Sequence, residues 1–324
     1  RRGRQLMEAA TSTMARLCQS VGQVVHGKSE VIRLAVVSLA ARGHILLEDI
    51  PGVGKTTLAR ALARATGGTF RRIQFTSDLL PSDVIGVSVW NEESRQFDFK
   101  HGPLFANVVL ADEINRAAPR TQSSLLEAMS EGRVSVDHYT YTIEQPFLVM
   151  ATQNPLEHFG TYPLPESQMD RFLLRLRLGY PSRYDERRVV MRGSQYDPVE
   201  DMKPAVAPAE VVQLQDTVCM VRVEESLLEY AERVVAETRR SPLLQLGVSP
   251  RGFQSWFRAA QARALSENRE YCVPDDFREL ALPALAHRLV LPGSSQGGYS
   301  DALSNGRAEA ERILTGIIER VPVP

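Results

Sequence analysis

The stretch Glu48-Asp49-Ile50-Pro51-Gly52-Val53-Gly54-Lys55-Thr56-Thr57 holds the residue types that grip a polyphosphate. Gly52 and Gly54 let a backbone turn its N–H groups inward around an anion, the Lys55 ammonium can reach β and γ phosphates, and the Thr56 hydroxyl can hold Mg²⁺. The apolar run Ile45-Leu46-Leu47 before it and an Ala/Leu/Arg-rich helical pattern after it supply the order strand, loop, helix that such a loop requires. The chain is therefore expected to bind a nucleoside triphosphate, the alternative being an ordinary glycine-rich turn before a helix. One position departs from the general pattern G-x-x-x-x-G-K-[ST]: its first glycine falls on Asp49, so the tight turn is expected from Pro51-Gly52.

A second group follows in Val108-Val109-Leu110-Ala111-Asp112-Glu113, an apolar strand ending in two acids. Successive side chains of a strand point to opposite faces, so Asp112 and Glu113 can serve different partners. One carboxylate beside Mg²⁺ and one that polarises a water is what phosphate hydrolysis needs. Alone such a pair is weak evidence, because strands often end in acids. One β-α unit after a phosphate loop, it points to nucleotide hydrolysis.

These residues must be positioned by a parallel sheet. Strands are expected at 44–48, 72–75, 108–112, 147–152 and 173–178, with helices at 57–66, 120–131 and 166–172. Residues 87–100 and 133–144 read as polar hairpins, the second turning across Asp137-His138. After Pro181 the strand patterns stop and the rest reads as helices, with breaks at Pro198, 204–208, Pro242, Pro274 and 292–298. The expected organisation is an α/β nucleotide-binding core over residues 1–190 and an all-helical lid over 191–324.

Composition bounds the function further. A chain of 324 residues, 43% hydrophobic and 24% charged, fits about two ordinary globular domains. The formal net charge of −1 gives no global attraction to nucleic acid or acidic membranes, and runs such as Arg187-Arg188 alternate with carboxylates. Three scattered cysteines, Cys18, Cys219 and Cys272, suit a reduced, cytoplasmic protein, and no His or Cys spacing suggests a protein-built metal site. No stretch approaches a membrane span, and a start at Arg1 suggests a trimmed or processed beginning.

Together the loop 48–56, Ala111-Asp112-Glu113-Ile114-Asn115-Arg116-Ala117, Ala151-Thr152-Gln153-Asn154-Pro155, Pro165-Glu166-Ser167-Gln168-Met169-Asp170-Arg171-Phe172 and Ser249-Pro250-Arg251-Gly252 resemble the MoxR branch of the AAA+ ATPases. The resemblance spans most of the chain. It implies a P-loop ATPase core with helix-2 and pre-sensor-1 insertions at the two hairpins, a helical lid, and a ring, most simply a hexamer. It assigns ATP contacts to Pro51, Gly52, Val53, Gly54, Lys55, Thr56, Thr57 and Asp112, with Mg²⁺ held by Thr56 and, through water, by Asp112. Glu113 would act on the attacking water and Asn154 would be the sensor 1 residue that positions it. Arg171 would be an arginine finger acting on the neighbouring subunit, and Arg251 the sensor 2 arginine acting in its own. Val24-Val25-His26-Gly27 is similar to the segment that packs on adenine, with Val25 and Gly27 as contacts; plain core packing explains it equally well.

Relatives of this branch are thought to act as chaperones that remodel or load metal into partners, often proteins with von Willebrand factor A domains. A DNA-remodelling motor shares the fold, but its signature, a basic pore or an added DNA-binding domain, is not visible in the sequence. A nucleotide-gated scaffold with little turnover is the third reading, which the intact Asp112-Glu113 pair opposes.

Overall fold

The structure, a computed structural model, describes residues 2–154, 161–192, 197–292 and 301–324. Pro155 and residues 293–298 of the expected 292–298 break lie outside the described residues. Five short strands form one parallel sheet, β1 (Ile45–Glu48), β2 (Phe70–Gln74), β5 (Val108–Asp112), β8 (Leu148–Gln153) and β9 (Leu174–Leu176), in the order β2-β5-β8-β1-β9. The inner strands β1 and β8 are buried at every residue, as parallel strands covered on both faces must be. The two expected hairpins are present as antiparallel pairs, β3 (Gly86–Asn91) with β4 (Gln96–His101) and β6 (Arg133–Val136) with β7 (Tyr139–Thr142). In the second, Val136 faces Tyr139 across the expected Asp137-His138 turn, with Asp137 at φ 56°.

Twelve helices complete the described residues. Two precede the sheet, α1 (Arg2–Gly22) and α2 (Ser29–Ala40), which the strand pattern did not announce. Within the core come α3 (Lys55–Ala65), α4 (Pro81–Ile85), α5 (Pro119–Glu131) and α6 (Glu166–Met169). The helical part comprises α7 (Arg183–Arg192), which spans the expected boundary, α8 (Pro208–Val218), α9 (Glu225–Arg240), α10 (Pro250–Ser266), α11 (Pro274–Leu285) and α12 (Asp301–Arg320). The helix expected over 166–172 ends at Met169, with Asp170 as a cap still in the right-handed region and Arg171 N bonding back to the Gln168 carbonyl at 3.1 Å.

The sheet separates two apolar cores. On one face Leu46, Val109, Ala111 and Val149 pack on Leu125, Leu126 and Met129 of α5, the stripe read from the sequence. On the other, Ile45, Leu47 and Leu110 join α1, α2, α3 and the helical lid in one continuous cluster that includes Trp256 and Phe277. The lid therefore has no separate core, and its docking is set by the same burial that holds α1 to the sheet.

Candidate active site

β1 delivers the loop at its C-terminal end. Gly52 (φ 83°) and Gly54 (φ 97°) lie in the left-handed region, and a Cβ on either would meet nothing within 4 Å, so backbone conformation rather than space demands glycine there. Gly54 caps α3, whose first-turn amides face the loop and form an anion site with the positive end of the helix dipole. Lys55 Nζ donates to the Asp49 carbonyl at 2.8 Å, which folds the ammonium over the loop.

Asp49, the departure from the glycine pattern, has its own task. Its buried carboxylate accepts from Leu178 N at 2.5 Å and Gly179 N at 2.7 Å through Oδ2, and from Ile50 N at 3.2 Å through Oδ1. The position that glycine fills elsewhere to turn the chain here ties the loop to the segment leaving β9.

β5 lies two strands from β1, with β8 between them, so the acids at its end stand beside the loop. Thr152 on β8 joins them: its hydroxyl donates to Asp112 Oδ1 at 2.6 Å and accepts from Glu113 N at 2.8 Å. Glu113 is left-handed at φ 57°, an unusual conformation for a side chain of its size, and the Thr152 hydrogen bond holds it there. β2 supplies two more partners. Arg72 binds Asp112 Oδ2 at 2.5 Å and Gln74 Nε2 donates to Glu113 Oε2 at 2.7 Å, joined on that oxygen by Arg116 at 2.9 Å. Asn154 emerges buried from the end of β8, where Gln153 O accepts from Asp49 N, so the expected sensor stands between loop and acids. Sequence reasoning assigned no role to Thr152, Arg72, Gln74 or Arg116. For Thr152, Arg72 and Gln74 the signal is strand order, since β2 and β8 flank β5, and local pattern does not carry strand order; Arg116 is local, three residues after Glu113.

Val25 and Gly27 part company. The Val25 side chain is buried in the core cluster, whereas Gly27 (φ 67°) approaches Asp185 closely and the adjacent Lys28 donates to the Tyr180 carbonyl at 2.7 Å. This segment thus lies against the chain that follows Gly179, which Asp49 holds to the loop.

The two arginines stand elsewhere. Arg171 lies three residues before β9, and Leu173 N, between them, donates to His44 O at 2.8 Å, at the entry of β1. The loop lies at the other end, beyond a four-residue strand that rises about 13 Å. Arg251 shares this entry edge: with Arg171, His44 and Met129 it lines a cavity of about 690 Å³. Arg251, expected to reach the nucleotide of its own subunit, is held at this edge by its surroundings. Ser249 caps α10 as expected, its hydroxyl accepting from Gly252 N at 2.9 Å, but the same hydroxyl donates to the Asp170 carboxylate at 2.8 Å and fastens the helix start to the far edge. Burial first and the nearby Arg251 second lower the affinity of Arg171 for its proton.

A family model for ATPases associated with various cellular activities (AAA) matches residues 44–174, and one for the AAA lid domain matches 236–307. The chain is 47% identical to the YeaC protein of Bacillus subtilis, covering 96% of this chain and 95% of that one. It is 38% identical to the chaperone MoxR1 of Mycobacterium tuberculosis over 99% of this chain and 85% of the relative, and 31% identical to the MoxR protein of Methylorubrum extorquens over 96% and 95%. A crystal structure from Cytophaga hutchinsonii superposes with a TM-score of 0.87 at 34% identity, covering 99% of this chain and 97% of the other.

Proposed function

We propose that this chain, which belongs to the MoxR family of AAA+ ATPases, completes its ATP sites between adjacent subunits of a ring and spends each turnover on a partner protein. ATP hydrolysis is the activity of the family. The observation that carries the proposal is the placement of Arg171 and Arg251 together at the entry edge of the sheet, the far end from the loop of the same chain. Two cations that cannot reach their own loop are suited to reach the next one in a ring, and a six-membered ring is the reading we favour.

In this reading the loop amides of 51–57 and Lys55 hold the phosphates, Glu113 takes the proton of the attacking water, and Asn154 positions that water. Arg171 and Arg251, both from the neighbour, spread guanidinium donors over the transferring phosphate. The donor set fits a hard cation, being all oxygen: the Thr56 hydroxyl and the Asp112 carboxylate. Both Asp112 oxygens already accept, Oδ1 from Thr152 and Oδ2 from Arg72, which suits contact through water. In this reading the cation arrives with the nucleotide. When bound, Mg²⁺ offsets charge on the phosphates.

The two hairpins offer a surface to the partner. Ser88 donates to Asp137 at 2.9 Å and Phe99 stacks on Tyr141 at 4.1 Å, so they form one unit, with Trp90, Phe97 and Tyr139 exposed on it. Chaperone-like remodelling or metal loading of a protein with a von Willebrand factor A domain, in the cytoplasm, is the process we favour, with the chain divided near residue 190 into core and lid. Among the described residues no helix is long and apolar enough to cross a membrane.

ATP turnover per subunit, followed over a wide range of protein concentration with Mg²⁺, tests the central point. The rate per subunit rises with concentration if neighbours complete the site. A rate that stays constant down to concentrations at which scattering shows monomers would overturn it.

A further inference from the structure

Asp170 and Phe172, the residues on either side of Arg171, are held by the lid. Arg288, between α11 and α12, donates from Nη1 to the Asp170 carbonyl at 3.0 Å and to its carboxylate at 2.8 Å, and from Nη2 to the Phe172 carbonyl at 2.6 Å. Its Nε donates to the Ala284 carbonyl at 2.8 Å, which fixes the guanidinium on its own helix end. His287 Nε2 adds a bond to Phe172 O at 3.0 Å, and the Ser249 hydroxyl one to Asp170. Gly252 leaves room for this arrangement, since a Cβ there would lie 2.9 Å from Arg288 Cδ.

Arg288 is almost wholly buried, and burial lowers its pKa to about 10 despite the opposing pull of Asp170. A buried guanidinium is costly unless every donor is used. Here it spans three carbonyls and one carboxylate, none of them part of a nucleotide site in its own chain. Arg171 itself donates to the Leu126 carbonyl, so the finger is held at its tip by α5 and at its backbone by the lid.

We propose that Arg288 is a positioning residue for the arginine finger: it locks the lid onto the backbone on both sides of Arg171, so that the lid of one subunit sets the guanidinium presented to the nucleotide of the next. The inference rests on the reading of Arg171 as a finger acting in trans. A change of lid angle in one subunit then alters hydrolysis in its neighbour while leaving its own loop untouched.

Mixed rings separate the two ideas. Arg288→Lys keeps a charge beside Asp170 but cannot bond all the carbonyls at once, and lowers ATP turnover about ten- to a hundredfold, the cost of a misplaced catalytic group. Nucleotide affinity stays within about threefold of the parent, as for loss of a group acting only in the transition state. Glu113→Gln subunits lack turnover but carry an intact finger. Mixed one to one with Arg288→Lys subunits, they raise turnover per Arg288→Lys site toward about half the parental rate, the share of intact neighbours that random assembly provides. Arg171→Ala, mixed in the same way, must be rescued likewise. Rescue of Arg171→Ala without rescue of Arg288→Lys overturns the inference, because the lesion then lies in the variant's own site. Absence of rescue for Arg171→Ala instead overturns the trans reading beneath it. An Arg288→Lys ring as fast as the parent also overturns the inference. Asp170→Asn, which weakens the same clasp from the other side, follows the same pattern if the lysine variant proves unstable.

Discussion

Replacing Thr152 by Val tests whether one hydroxyl organises the two acids. Valine keeps the β-branched shape in a fully buried strand position but removes both hydrogen bonds. The bond to the Asp112 carboxylate, 2.6 Å long, contributes about 1.5–3 kcal/mol, and leaving the Glu113 amide without its acceptor costs about 1–3 kcal/mol. Glu113 sits at φ 57°, a conformation that costs a non-glycine residue about 1–2 kcal/mol. Without its anchor that residue gains by relaxing, and its carboxylate moves away from the water it is to polarise. A displacement near 1 Å is worth about a hundredfold in rate. Steady-state turnover of Thr152→Val is therefore expected to fall about a hundredfold, with nucleotide affinity, measured by fluorescence titration, changed less than about threefold. Thr152→Ser, which restores the hydroxyl, recovers most of the rate. Turnover of the valine variant within twofold of the parent, or an equal loss in the serine variant, would refute the reasoning.

Three further outcomes follow from the same geometry. Glu113→Gln is expected to bind ATP while turnover falls by orders of magnitude; full activity in a ring of that variant removes Glu113 from the mechanism. Asp49→Gly, which restores the general glycine, orphans the Leu178 and Gly179 amides and is expected to lower unfolding stability by about 2–4 kcal/mol in urea, whereas an unchanged midpoint would show that the carboxylate holds nothing. His44 is buried and its Nδ1 accepts from Val149 N, so burial lowers its pKa from 6.5 to about 4. Above pH 6.5 both folded and unfolded states are neutral there, and below it only the unfolded state takes the proton. Stability is then lost as pH falls from 6.5 toward 4, by about 2 kcal/mol at pH 5. His287 is lowered in the same direction by burial and by Arg288. Denaturation curves at pH 7 and 5 measure the loss, and a His44→Gln variant that loses as much as the parent sinks the assignment.

How far the site was legible follows from the range over which each feature is decided. The loop at 51–57 and the acids at 112 and 113 are local: a strand, its exit and the next helix are contiguous, and each requirement leaves a residue type at a fixed spacing. The hairpins and the cap at Ser249 were legible for the same reason. Thr152 and Gln74 were not, because nothing in 147–152 or 72–75 says which strands flank the one ending in Asp112; that order is fixed by burial across the whole sheet. Asp49 read as a flaw until its partners, more than a hundred residues later, were seen to be Leu178 and Gly179. Arg251 shows the limit most sharply. Its helix, its cap and its place in the first turn follow from Ser249-Pro250-Arg251, yet the nucleotide it can serve depends on where that helix start is fastened. Asp170, Ser249 and Arg288 decide this, a carboxylate from the core and two donors from separate lid elements. A short motif specifies the chemistry of a guanidinium; which subunit receives it is a property of packing between segments distant in sequence.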